Sequence, residues 1–147
     1  MKEIKLEKEE NDYFREWIIK EWMHHNTVDP IYQLVIKKPS EVKFQNNEEY
    51  FKIKYDKTEV GFVGIKTYEK EINLFRLFVD EDYRNQGIGS YVVQWIIEMA
   101  KKQKKDVSLE VMGNNLVAKQ IYEKYGFKTH YIKMVLKIND DTYKEAD

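Results

Sequence analysis

Seven residues, Arg84-Asn85-Gln86-Gly87-Ile88-Gly89-Ser90, stand between a strand-like run and a helix-like run. Ahead of them, Ile72 to Val79 is rich in apolar and aromatic residues and short for a helix. Behind them, Ile88, Tyr91, Val92, Trp95, Ile96 and Met99 recur as one helical face. A strand, a glycine loop and a helix together aim backbone N–H groups at an anion. The first N–H groups of a helix have no internal partner, and the helix dipole favours negative charge there. Glycine lets the backbone come close to such a ligand. The loop therefore predicts a phosphate-bearing ligand at the start of the helix near Gly87. Two familiar phosphate motifs do not fit. The dinucleotide fingerprint requires a third glycine where the chain has Val92, and no Gly-Lys-Ser/Thr of a P-loop is present.

Composition narrows the partners. The chain has 147 residues, enough for one domain with a full core, and is 42% hydrophobic and 14% aromatic, which is globular. Charged residues make up 35%, yet the formal net charge is −1, without the basic excess usual for nucleic-acid binding. The absence of cysteine removes disulfides and a thiol nucleophile. The charged start Met1-Lys2-Glu3-Ile4-Lys5 lacks an apolar signal core, and no run approaches a membrane span. The expectation is a cytoplasmic chain with no nucleic-acid or membrane partner, read as a single domain over 1–147.

Along the chain, Ile4 and Leu6 suggest a first strand. Asn11 or Asp12 is placed to cap a helix that carries Tyr13, Phe14, Trp17, Ile18 and Trp22 on one face. Asp29-Pro30 predicts a second short helix through Leu34. Tyr50–Tyr55, Val60–Tyr68 and the run ending at Val79 read as a three-strand meander. Asp106 to Met112 reads as a further strand, broken by Gly113-Asn114-Asn115 and followed by a helix ending at Tyr125-Gly126. Phe127 to Ile138 predicts one or two last strands, and Asp140 to Asp147 a frayed end.

That second half holds another pattern. Asn115-Leu-Val-Ala118-Lys-Gln-Ile-Tyr122-Glu-Lys-Tyr-Gly126-Phe127 follows a strand, as Arg84-x-x-Gly87-x-Gly89 does. The two segments together resemble the GNAT superfamily of acetyl-CoA-dependent N-acetyltransferases. The resemblance is sharp from Asn73 to Phe127 and loose before Tyr50. It implies an α/β (α+β) fold of three layers, with a central mixed sheet of about six or seven strands, about four helices and splayed central parallel strands.

The resemblance also implies roles. Acetyl-CoA is the expected acyl donor and no metal is required. The diphosphate would sit on the N–H groups of Gln86, Gly87, Ile88, Gly89 and Ser90, in the loop that Arg84 and Asn85 open. Arg84 would add charge or hold the loop. The backbone of Leu77, Phe78 and Val79 would bond the pantetheine arm, with Ala118 and Asn115 alongside; Asn115 also suits a plain N-cap. Tyr122 is the expected general acid, because a phenol remains protonated at neutral pH and can protonate a leaving thiolate. Many family members carry a glutamate where this chain has Asn73, which cannot act as a base. Glu110, a carboxylate amid apolar neighbours, would take that part directly or through a water, as in the ribosomal-protein N-terminal acetyltransferase branch, or else is a strand glutamate that reaches solvent or a lysine; Glu71 stands in reserve. Trp22 and Tyr32 would wall the acceptor site. His24-His25 and Lys101–Lys105 read as solvated helix ends and His130 as a structural or surface residue.

The expected activity is acetyl transfer to a primary amine by direct attack in a ternary complex. The acceptor is open between a peptide or protein amine and a small molecule, and the chain would be a monomer or homodimer. The alternative is a non-catalytic acyl-CoA-binding module.

Overall fold

The computed structural model describes residues 3–138 and 143–145. In chain order the elements are β1 (Ile4–Glu9), α1 (Arg15–Val28), β2 (Gln33–Leu34), β3 (Glu48–Tyr55), β4 (Thr58–Thr67), β5 (Glu71–Val79), α2 (Ile88–Gln103), β6 (Asp106–Leu109), α3 (Leu116–Lys124) and β7 (Tyr143–Lys144). Five strands form one mixed sheet in the order β1-β3-β4-β5-β6. Its pairs are antiparallel except β5–β6, which is parallel.

Helices cover both faces, giving the expected three layers. Phe14, just ahead of α1, and Ile18 and Trp22 within it stand four residues apart. They bury one stripe against Val42, Tyr50, Phe62 and Phe78. On the other face Ile88, Val92, Ile96 and Ala100 of α2 close over Ile53, Val63, Ile65, Ile72 and Leu74. Trp95 meets the edge of Phe51 at 4.7 Å between ring centroids. Each buried Phe or Ile in these layers contributes about 1.5–3 kcal/mol.

A bulge in β5 positions the site. Gly64 pairs with Arg76 and Ile65 with Leu74, so Phe75 is an extra residue. Before it, Ile72 and Leu74 face α2; after it, Leu77 and Val79 take that face, while Arg76 and Phe78 turn to α1. The parallel pairing with β6 stops at the same place. It joins Glu71–Leu74 to Asp106–Leu109 and goes no further. Phe75 to Val79 therefore run on with an open edge, and the parallel strands are splayed.

Several expectations are corrected. There are three α-helices rather than about four among the described residues, and the seven strands divide into a sheet of five and a separate pair. Residues after Asp29-Pro30 form no helix. The Asp29 carboxylate instead accepts from the N–H groups of Ile31 (2.7 Å) and Tyr32 (3.1 Å), an Asx-type turn that delivers the chain to β2. Neither Asn11 nor Asp12 caps α1; Asp12 Oδ1 accepts from the Arg15 guanidinium at 2.8 and 3.0 Å. β6 ends at Leu109, three residues short of Met112. No strand forms over Phe127–Ile138, since the short β6 offers no ladder there and the chain passes to the β2 side, where Lys137 Nζ donates to the Ile31 carbonyl (3.5 Å). Of the predicted frayed end only 143–145 are described, the rest lying outside the described residues; Tyr143–Lys144 pair parallel with Gln33–Leu34.

Candidate active site

The site begins where β5 ends. Asn85 and Gly87 hold positive φ (62° and 83°), turning the chain sharply into α2. Gly87 is the N-cap residue, and no side chain caps the helix. The N–H groups of Ile88, Gly89 and Ser90 thus lie in the first turn, where no intrahelical carbonyl reaches them. A Cβ built on Gly87 or Gly89 meets no atom within 4 Å. An uncapped helix start facing open space fits a diphosphate. Arg84 holds the loop: its Nε donates to the Val79 carbonyl (2.8 Å), and its guanidinium lies 5.5 Å from the centre of the Phe78 ring. Gln86 Nε2 donates to the Asp82 carbonyl (3.3 Å), bracing the same turn. Leu77, Phe78 and Val79 lie on the open edge that leads there, with the Val79 carbonyl already committed to Arg84.

Tyr122 is set by the end of α3. Gly126 has φ +100°, and its N–H donates to the Glu123 carbonyl (3.0 Å), while the Phe127 N–H donates to that of Tyr122 (3.1 Å). These two bonds make a Schellman motif, which brings the residue after the glycine back onto the last turn. The Phe127 ring accordingly meets the Tyr122 ring edge-on at 5.9 Å. Burial pushes the Tyr122 phenol above its ordinary value. The start of α3 is also fixed: Asn115 Oδ1 accepts from the Ala118 N–H (3.2 Å), the plain N-cap of its two readings. Tyr125 Oη accepts from Gln94 Nε2 (2.8 Å), tying α3 to α2.

The carboxylates lie at the other end of the opening. Glu71 and Asn73 alternate with Ile72 and Leu74, so they point away from α2, and Ser108 is the register partner of Asn73. Asn73 Nδ2 donates to Ser108 Oγ (2.9 Å), which donates to Glu71 Oε2 (2.7 Å). Glu110 stands two residues beyond Ser108, past the end of β6, with an exposed side chain. Sequence reading passed over Ser108; a lone strand serine carries no spacing signal.

The α1 side supplies a wall. Trp22 is 3% exposed and lies 5.7 Å beneath the Arg76 guanidinium. Arg76 donates from one terminal amine to Glu21 (2.7 Å) and from Nε to Tyr50 Oη (3.3 Å), and Tyr50 donates to Glu48 (2.6 Å). Burial pushes the Glu21 carboxyl up, against the pull of Arg76. Burial likewise drives the Tyr50 phenol well above its usual range. Tyr32 stands apart from this wall, its ring under Lys137 (5.2 Å) and Lys144 (5.7 Å). His25 Nε2 is 2.9 Å from Asp29, and His24 meets the edge of Phe78 at 5.8 Å. His24 is held below its ordinary value by burial and by nearby Arg84. His130 is exposed, and Lys101 and Lys102 occupy the last turn of α2. No group of three His, Cys, Asp or Glu that could hold a metal is found among the described residues.

The model of the Acetyltransferase (GNAT) family matches residues 6–127. The chain belongs to the GNAT acetyltransferases. This is a family of acyltransferase enzymes, and the chain resembles several members individually. [Ribosomal protein bS18]-alanine N-acetyltransferase of Escherichia coli (strain K12) is 30% identical over 99 residues, covering 64% of this chain and 67% of that protein. N-acetyltransferase 8 of Homo sapiens is 38% identical over 61 residues, 41% of this chain; the match spans 27% of that longer protein. Arabidopsis thaliana Naa50, solved with the bisubstrate analogue CoA-Ac-MVNAL, shares the fold with a TM-score of 0.61 at 19% identity, over 87% of this chain and 85% of its own.

Proposed function

We propose that this GNAT protein transfers acetyl from acetyl-CoA to a primary amine by direct attack in a ternary complex. One observation carries the reading: the open edge of β5 from Phe75 to Val79 leads directly to the uncapped first turn of α2. An extended arm can bond along the edge while its diphosphate rests on the N–H groups of Gln86 to Ser90. Arg84 and Asn85 shape that cradle, and Ala118 and Asn115 flank the arm from α3. Acetyl-CoA supplies an activated thioester. The chain's residues supply orientation and proton management.

An alkylammonium must lose a proton before it is nucleophilic. Glu110, exposed at the mouth between β5 and β6, accepts that proton directly or through a water. Tyr122 donates its phenolic proton to the departing sulfur. Burial keeps that phenol protonated, which suits a donor. The acceptor we infer is the α-amine of a peptide or protein, since the bS18-alanine enzyme is the relative matched over the larger share of both chains.

The reading extends to a single domain over 1–147, acting in the cytoplasm as a monomer or homodimer, without nucleic-acid or membrane partners. No helix among the described residues is long and apolar enough to cross a membrane. Asn73, in place of a glutamate, favours a second reading as a non-catalytic acyl-CoA binder. Following thiol release from acetyl-CoA over a panel of N-terminal peptides and small amines separates the two. Turnover on at least one amine that collapses in Tyr122→Phe supports the enzyme; acetyl-CoA binding without turnover on the whole panel supports the sensor.

A further inference from the structure

Ser108 links two side chains at the floor of the opening. Its hydroxyl has one proton and two lone pairs. The proton goes to Glu71 Oε2 (2.7 Å) and one lone pair accepts from Asn73 Nδ2 (2.9 Å). One lone pair is left. Asn73 Nδ2 also lies 3.4 Å from the Ser108 carbonyl, an acceptor only, which fixes the amide with its nitrogen toward β6. All three side chains are half-buried, so solvent or a small ligand group can reach them.

Their place is also informative. Val107 and Leu109 pack toward α2, so Ser108 points to the opposite face, with Glu71 and Asn73. Asn73 and Ser108 form the next-to-last parallel rung before the strands part at Leu74 and Leu109. An arm lying along the open edge from Val79 toward Phe75 is stopped by that pairing. Its reactive end is then delivered beside the rung that holds Ser108.

Resting on the acetyl-transfer reading, we infer that Ser108 and Glu71 form a second proton-accepting relay for the amine, with Asn73 as a positioning residue. The proton count leaves room for such a group. An ammonium that becomes an amide loses two N–H protons, while the sulfur gains one from Tyr122, whose phenolate then regains a proton from solvent, so that one proton is released overall. Glu110 receives one of the two. The other passes to Ser108 Oγ as the N–H bond breaks, and the hydroxyl's own proton moves to the Glu71 carboxylate. Ser108 ends as a hydroxyl and Glu71 as a neutral acid, which discharges to solvent. Glu71 in this way serves, through one intervening hydroxyl, the role that a carboxylate at position 73 would serve directly.

The test is steady-state kinetics against pH for the wild type, Ser108→Ala, Ser108→Thr, Glu71→Gln and the Ala/Gln double variant. Loss of the relay lowers kcat on the order of tenfold to a hundredfold, at or below the low end for direct general-base catalysis. KM for acetyl-CoA stays within about twofold. Thr restores most of the rate because it keeps the hydroxyl. The double variant is no slower than the slower single one, because the two residues act as a unit. The acid limb of the kcat/KM profile changes in Glu71→Gln. The wild type in mixed light and heavy water also shows a curved rate dependence, reporting more than one proton in flight, which becomes linear in Ser108→Ala. Equal losses in Ser108→Ala and Ser108→Thr, additive losses in the double variant, or a linear wild-type dependence overturn the relay while leaving acetyl transfer intact. A wild type that binds acetyl-CoA yet acetylates no amine overturns both.

Discussion

The proposed proton donor, Tyr122, is positioned by the end of its own helix. Its helix ends in a glycine whose positive φ folds Phe127 back against the ring. The ring is thereby half-buried, and burial disfavours the phenolate. Removing the hydroxyl in Tyr122→Phe should cut kcat about 10²- to 10⁴-fold, the range of general acid–base catalysis, with acetyl-CoA affinity nearly unchanged. The sign of the pH effect follows from the same burial. A phenol with a raised pKa keeps its proton as pH climbs, so the basic limb of kcat should fall only above the ordinary tyrosine value of about 10. A basic limb well below that value, and missing from Tyr122→Phe, would show the phenol is not shielded. Spacing alone singles out Tyr122, Asn115 and the glycines, and the cap at Asn115 and the turn at Gly126 are present in the fold. Ser108 carries no such signal, since only the parallel register sets it opposite Asn73.

At the scale of elements, β5 changes character midway. Its apolar residues facing α2 run Ile72, Leu74, then Leu77, Val79, a shift of parity by one residue. That shift is written in the sequence and marks the bulge at Phe75, although the run can be read as a plain strand without it. Its consequence is Arg76, buried under α1 and paired with Glu21. Truncating Arg76 to Ala should destabilise the fold by about 3–5 kcal/mol, because it strands the Glu21 carboxylate in a buried site. Chemical denaturation of Arg76→Ala and of Arg76→Leu with Glu21→Leu checks this. The double variant should recover much of the loss, and equal losses in both would show that the charge is not the cause. The end of α3 offers a smaller test. Gly126→Ala places a Cβ in a left-handed conformation and should cost about 1–2 kcal/mol with a matching loss of kcat as Tyr122 loosens. The turn at Asp29 was misread because aspartate before proline suits a helix start and an Asx turn alike; the β-branched and aromatic residues that follow favoured extended chain.

Across the whole molecule, the meander of β3, β4 and β5 followed from residue pattern and the three layers from the family resemblance, and the C-terminal segment followed from neither. Ile132, Met134, Leu136 and Ile138 alternate as a strand would, yet are 77%, 89%, 84% and 88% exposed. Alternation identifies a chain able to pair; it does not supply the partner ladder. The buried polar cluster under α1 gives the molecule a pH signature. Burial raises the Tyr50 phenol in the folded state, so its contribution is complete below about pH 10, the unfolded value, and declines as pH rises beyond it. Urea midpoints should therefore fall as pH rises above about 10, and the fall should flatten in Tyr50→Phe. An identical fall in that variant would assign the loss to other groups.

Everything proposed for catalysis depends on acetyl-CoA lying between the open edge of β5 and the first turn of α2. Thermal unfolding with acetyl-CoA, beside ATP and NAD at equal concentration, measures that directly. A ligand held there at a hundredfold excess over its dissociation constant stabilises the fold by about 2.7 kcal/mol. A rise in melting temperature with acetyl-CoA alone is the predicted result. No rise with acetyl-CoA, or an equal rise with ATP, would contradict it and leave the Gly87 loop serving another ligand.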